Sequence, residues 1–411
     1  MRTTFKIFFL AMLIMAGMTP AHAGESITLD QVVNNAVQKS TGMFQLRKDY
    51  EEGLANSNEA KAFDNPEVQT DIIRKQGSGG TGLSVEIMQP LKPSQMTGTR
   101  FRYARLLAQS ADAGQQYALL KVINETTALY TRLWLMQERK HLIQDSARDA
   151  GTMSKLVHSS AHAGQTSVAA AQLFSADAAK LESDAFAMDA ELRQARIDLT
   201  KLTGMSFRGA ELQKPSFSQV PEDIQILVSF SRTRVNLRNL LNARVKAAQE
   251  RVSGADQDAA LPEFGPRLIY SRTPDGAEKD YGIGVQLRIP LWNQNNAERK
   301  RANAELNFER SQADLLAQVP PEQVIADLQQ GAIAAQKRAG SYFNKILPGY
   351  RKSYELMHSM FRQGQADAFE VWQVREKLYQ TENEGLDAVV EALNARGLLE
   401  LELGGKLEEI K

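Results

Sequence analysis

One stretch occurs twice, and it limits what the chain can fold into. Gly82 to Leu91 reads GLSVEIMQPL, and Gly282 to Leu291 reads GIGVQLRIPL. The second proline lies 290 − 90 = 200 residues after the first. Gly164-Gln165 and Gly364-Gln365 keep that offset, as do Gly204 and Gly404. Three landmarks in one register mean an internal duplication with no net insertion. A period this long is outside the range of short-repeat solenoids, so each copy must be a unit of strands followed by long helices.

The N-terminus reads as an export leader at 1–23. Arg2 and Lys6 supply its positive end, Ile7 to Met18 its apolar centre, and Ala21-His22-Ala23 its cleavage site. Twelve apolar residues are too few to cross a bilayer, which needs about 20. No later segment could be a transmembrane helix. The chain has no cysteine, which excludes disulfides, thiolate metal sites and a lipid-modified cysteine. Lys+Arg and Asp+Glu are both 49, so bulk charge does not point to nucleic acid.

The duplication divides the exported chain into a first repeat at 24–208, a linker at 209–221 and a second repeat at 222–411. Thr28 with Gln31 predicts a capping box and a helix from about Leu29 to Ala62. Two strands are expected at about 68–75 and 81–89, joined by the glycine-rich loop 77–80. A helix of about 65 residues is expected between Lys92 and Ala163, roughly 100 Å long at 1.5 Å per residue. Leu119, Val122, Thr126, Leu129, Leu133 and Met136 recur along it in coiled-coil steps, with Leu120, Ile123, Tyr130 and Trp134 beside them. Gly164 stops this helix, and a returning helix carries Leu181, Ala185, Met188, Leu192, Ala195, Leu199 and Leu202. The second repeat predicts a helix over 222–257, strands at about 264–272 and 281–289, and a long helix from about Asn293. Pro320-Pro321 should break that helix and Pro348 should bend it. A final helix is expected over 366–403. The fold class is therefore α+β, mostly α.

Leu83, Val85 and Ile87 alternate with polar residues. Tyr281, Ile283, Val285, Leu287 and Ile289 do the same more cleanly. Strands of this length and pattern fit either a half-buried hairpin or an outer-membrane barrel, and the export leader favours the barrel, with these eight residues facing lipid. Four strands cannot close a barrel, and open edges are not tolerated in lipid. The strands must then be pooled among copies, and three chains supply twelve.

The whole mature chain resembles the outer-membrane efflux protein family, the TolC-like channels. The resemblance rests on the repeated helix, hairpin, long helix, turn and helix plan. It rests also on Val85…Pro90-Leu91, Val285…Pro290-Leu291, Gly164-Gln165, and Leu347-Pro348 with the run Gly364 to Val371. It implies a homotrimer with a shared twelve-stranded barrel in the outer membrane and a helical extension in the periplasm. It implies a passive exit duct that works with a periplasmic adaptor and an inner-membrane pump. Length and the Leu-Pro segment lean toward the subfamily serving resistance–nodulation–division pumps and heavy-metal cations. The turns at Gly164, Gln165, Gly364 and Gln365 would meet the adaptor, and Asp367 and Glu370 would ring the periplasmic gate. Gln373 stands where some relatives have a further acid, and a solvated helix face is the other reading of Asp367.

His158, His162 and His358 fall near the same turns, and an i,i+4 histidine pair can hold a metal ion. Solvated surface histidines are the simpler reading, since no carboxylate or cysteine set accompanies them. No nucleophile elbow, phosphate loop or zincin motif occurs, and neither an enzyme activity nor a cofactor is expected. Two alternatives stand beside the duct: the outer-membrane part of a type I protein-secretion system, and a soluble periplasmic coiled-coil scaffold.

Overall fold

A computed structural model describes residues 26–74, 81–164, 166–215, 219–274, 278–291 and 294–410. The leader, the loop 77–80 and Gln165 lie outside the described residues. The chain forms two compact units, and each takes stretches of both sequence repeats.

The first unit holds the described residues of Met1–Ser40, Glu125–Phe217 and Arg338–Glu391. It begins with α1 (Leu29–Lys39). The Gln31 amide donates to Thr28 Oγ1 at 3.3 Å and the Thr28 amide to Gln31 Oε1 at 2.9 Å, which completes the expected capping box. The helix does not run on to Ala62. Ser40 is buried and extended (φ −68°, ψ 153°), and a second helix, α2 (Thr41–Lys61), starts after it. A serine readily trades helical bonds for local ones, and here the break wins.

The sequence after the strands begins with α3 (Pro93–Met96), stops at the left-handed Gly98, and then runs as α4 (Thr99–His162). The 64 residues of α4 span about 96 Å at 1.5 Å per residue. Within the first unit, Tyr130, Leu133, Trp134 and Met136 of α4 are all buried, so both predicted stripes are covered. Tyr130 Oη lies 2.8 Å from the Ile27 carbonyl and 2.7 Å from that of Gln213. Gln137 donates to the Ala210 carbonyl at 2.6 Å and accepts from the Leu212 amide at 3.0 Å. These bonds tie the linker to the helix. Then α5 (Val168–Thr203) returns and ends at Gly204, φ 70°.

The second unit holds the described residues of Thr41–Asn124, Ser218–Lys337 and Ala392–Lys411. The predicted 222–257 helix is two helices, α6 (Ile224–Arg232) and α7 (Leu237–Ala260). The buried Asn236 makes the break. Its Oδ1 caps the Asn239 amide at 3.1 Å, and its Nδ2 donates to Ser231 Oγ and to the Glu402 carbonyl. The unit also contains α8 (Asn296–Ala317), and α9 (Pro321–Ser341) begins in it. The chain breaks between α8 and α9 at the two prolines, as expected. Val220, Leu227, Val228, Ile325, Leu399, Leu403 and Leu407 form the core.

Pro348 does more than bend its helix. Tyr342–Ile346 form a π turn ahead of it, in which the Leu347 amide donates to the Tyr342 carbonyl five residues back. A proline ring clashes with the carbonyl four residues earlier, and the wider turn clears it. Then α10 (Leu347–Arg362) leads to the second turn and to α11 (Ala368–Leu403). Gly164 and Gly364 both have φ 73°, and Gly204 and Gly404 have φ 70° and 76°. The 200-residue register therefore reappears in the backbone.

The second unit carries one antiparallel sheet, ordered β1 (Glu67–Arg74), β2 (Thr81–Met88), β3 (Glu263–Arg272) and β4 (Lys279–Arg288). The two hairpins come from the two repeats and join through β2 and β3. Helices attach at one end of the sheet, where α2 and α7 enter and α3 and α8 leave. Arg74, Thr81, Arg272 and Lys279, the strand ends flanking the hairpin turns, lie at the other end.

Candidate functional site

The register of the sheet assigns each residue to a face. Val68, Ile87, Leu268 and Ile283 form one row across all four strands. Thr70, Val85, Tyr270 and Tyr281 form the next row toward the hairpin turns, and Val285 and Leu287 extend the face toward the helices. This apolar face is bare. Ile283 is 88% exposed, Tyr281 80% and Ile72 71%. Leu83, Ile87, Val285, Leu287 and Ile289 are exposed, and Val85 is half-buried. The rings of Tyr270 and Tyr281 lie 5.4 Å apart. Val68, Ile72, Leu268 and Tyr270 were not among the residues expected to face lipid. The same period-two alternation could have found them, but Thr70 on the apolar face and Ile269 on the polar one dilute it.

The opposite face is polar and internally paired. Arg267 donates to Glu86 at 2.9 Å, and Arg288 to Glu263 at 3.3 Å, with Glu67 3.8 Å away. A side chain at Gly284 would put Cβ 2.9 Å from Arg267 Nε, so glycine there makes room for the arginine to lie across β4. Among the described residues both outer strands, β1 and β4, have one unpaired edge.

In the first unit the two turns share one apolar cluster. Met153, Val157, Ala171, Phe174, Ala368 and Val371 are buried together, with Phe361 and Trp372 against them. Gly164 and Gly364 are exposed, and no atom lies within 4 Å of where a Cβ would stand on either. The Gln365 amide donates to the Met360 carbonyl at 2.8 Å, and its side chain is exposed. Each helix after a turn is capped by the equivalent residue of its repeat. Ser167 accepts from the Ala170 amide at 3.1 Å. Two hundred residues on, Asp367 accepts from the Phe369 amide and Glu370 accepts from the Asp367 amide, both at 3.2 Å. The two exposed carboxylates therefore form a reciprocal cap. Sequence reading had found the acids but not this role.

Beneath the turns the four helices meet through polar groups. Arg375 of α11 is 4% exposed and pairs with Asp177 of α5. Tyr354 of α10 donates to Asp149 of α4. Burial, and then the Asp149 carboxylate, push the Tyr354 hydroxyl far above its ordinary range. The histidines are not brought together as a metal site. His158 Nε2 lies 2.9 Å from Ser175 Oγ, the His358 ring lies against Tyr354, and His162 is exposed. Among the described residues no group of three His, Asp or Glu side chains is placed to hold a metal ion.

No protein-family model matches the chain, and no curated protein matches it. Solved structures do. The outer membrane protein VceC of Vibrio cholerae superposes with a TM-score of 0.71 at 16% identity, over 92% of this chain and 96% of that one. CusC, described in the context of transmembrane channel formation, gives 0.72 at 14% identity, over 94% and 95%. The CmeC outer membrane channel of Campylobacter jejuni gives 0.71 at 13% identity, over 95% and 90%. The chain has the fold of these outer-membrane channels. Among the described residues no helix is long and apolar enough to cross a membrane. Among the described residues the sheet carries an exposed apolar face.

Proposed function

We propose that the chain is the passive outer-membrane duct of an export system, assembled as a trimer. The observation that carries this reading is the four-stranded sheet with a continuous bare apolar face, a paired polar face and two free edges. A soluble scaffold would leave that face in water, where large apolar patches invite association. In lipid the face is satisfied, but the free edges are not, because unpaired backbone groups are costly there. Pairing β1 of one copy with β4 of the next removes every edge, and three copies give a closed barrel of twelve strands. Its polar face then lines the lumen.

The helices would continue the duct into the periplasm. The turns at Gly164-Gln165 and Gly364-Gln365 would meet a periplasmic adaptor, and the paired inner-membrane pump would be of the resistance–nodulation–division type. Heavy-metal cations are the cargo toward which the Leu347-Pro348 segment leans. Asp367 and Glu370 would ring the tip threefold, attracting cations and repelling one another.

The absence of native cysteine allows a clean test. A cysteine replaces Val68 in β1, with a second placed in turn at Tyr281, Ile283, Val285 or Leu287 in β4. Within one chain the two strands stand three spacings apart, about 14 Å, beyond the roughly 7 Å Cα separation that a disulfide allows. Oxidised outer membranes should give covalent dimers and trimers at one register. Membrane-inserted protein with no cross-link at any register would refute the closed assembly.

A further inference from the structure

The apolar face ends in a basic rim at the hairpin turns. Beyond the row holding Tyr270 and Tyr281 comes the row Ile72, Leu83, Arg272 and Lys279. Arg272 and Lys279 are direct cross-strand partners. Arg74, paired with Thr81, stands one step further out on the same face. All three side chains are exposed, and among the described residues none makes an ion pair. Two neighbouring acids alternate to the polar face, Asp280 opposite Ser271 and Asp71 opposite Ser84. Two cations placed directly opposite on one face repel each other. The polar face of the same sheet meets its arginines with glutamates. Among the described residues this rim has no such partner.

The position of the rim says what would satisfy it. Successive rows on one face are about 7 Å apart. The rim therefore lies about 7 Å beyond the tyrosine pair and about 14 Å beyond the Leu268–Ile283 row. Tyrosines of a barrel mark the level where hydrocarbon gives way to headgroups. The rim is one step past that level and on the lipid side. The helices enter the sheet at its other end, so with the helices in the periplasm the rim is at the outer leaflet. The outer leaflet of this membrane is built from a phosphorylated glycolipid.

We propose that Arg74, Arg272 and Lys279 bind the headgroup phosphates of that glycolipid. Guanidinium groups suit phosphate because two of their N–H donors match two of its oxygens, while the lysine adds a point charge. An anion between Arg272 and Lys279 also relieves their repulsion. This proposal rests on the outer-membrane reading above.

The test uses the full-length particle extracted in detergent. Its affinity for vesicles containing lipid A is compared with that for vesicles of dephosphorylated lipid A, with inorganic phosphate as a competitor. Wild type is compared with Arg74→Gln/Arg272→Gln/Lys279→Gln, and trimer content is recorded separately for each. The expected result is preference for the phosphorylated lipid, weakened about a hundredfold in the triple variant, as for three basic groups lost from an anionic surface. Equal binding of the two lipids by the wild type would overturn the proposal without any variant. So would full displacement by millimolar inorganic phosphate, which would mark a free-anion site. A particle that needs no detergent and forms no trimer would remove the outer-membrane reading, and this proposal with it. A trimer indifferent to lipid phosphate removes the proposal alone.

Discussion

Ile283→Lys is the sharpest mutational probe of the sheet. Ile283 is 88% exposed in the protomer and sits one row inside the tyrosine pair on the apolar face, between Tyr281 and Val285. In water, lysine at so exposed a position should change stability by no more than about 0.5 kcal/mol. In the proposed barrel the same residue lies in the hydrocarbon, one row or about 7 Å inside the tyrosine level. A lysine there costs about 1–3 kcal/mol, between the interface and midplane values, hence about 3–9 kcal/mol over three copies. That is comparable with the whole stability of a typical domain, about 5–15 kcal/mol. Gln286→Lys is the control, since Gln286 lies on β4 but alternates to the polar face opposite Gly265. The assay is the yield of heat-resistant trimer from outer membranes, together with urea titration of protein refolded into lipid vesicles. Ile283→Lys should abolish or severely reduce trimer, and Gln286→Lys should leave it intact. Wild-type assembly by Ile283→Lys would refute the assignment of the face. Failure of Gln286→Lys alone would invert it.

Four further outcomes follow from the turns and helices, each read by thermal unfolding of the detergent-extracted protein. Gly364→Ala should cost about 1–2 kcal/mol from its left-handed backbone alone, because nothing crowds the new methyl group. Gly404→Ala should cost more, about 2–5 kcal/mol, since its Cβ would come within 2.7 Å of the Val235 carbonyl. Asp367→Ala should lose about 0.5–2 kcal/mol while Asp367→Asn keeps the cap; if both lose equally, charge rather than capping sets the stability. Arg375→Ala should cost about 3–5 kcal/mol by stranding the Asp177 carboxylate, whereas Arg375→Met with Asp177→Leu should be close to neutral.

The parts of the fold that were legible in the sequence are those written in backbone chemistry or strict period. Glycine at 164, 204, 364 and 404 announced four left-handed helix ends, and all four occur. Alternation bounded by proline and glycine placed each of the four strands within two residues of its observed ends. The breaks at Ser40 and at Thr233 to Asn236 were not legible. Both fall in polar stretches of middling helix propensity, where burial decides, and the bonds of Asn236 to Ser231 and Glu402 are tertiary. The π turn was half legible, since Pro348 announced a disturbance but not that five residues ahead of it would absorb the clash. At the turns, Asp367 and Glu370 stood out as acids. Their spacing of three, the signature of a cap, was present in the sequence and points to the role that the hydrogen bonds reveal. The basic rim needed the register, because Arg272 and Lys279 become partners only once β3 and β4 are paired.

The most direct test of the central claim is the mass of the intact particle. Full-length protein is extracted from outer membranes in detergent, and the polypeptide mass is measured by light scattering with the detergent contribution subtracted. The account predicts protein that leaves the membrane only with detergent and a particle of three chains. A monomer or dimer recovered in the aqueous fraction would contradict it, since the bare face and the two free strand edges would then be stable in water.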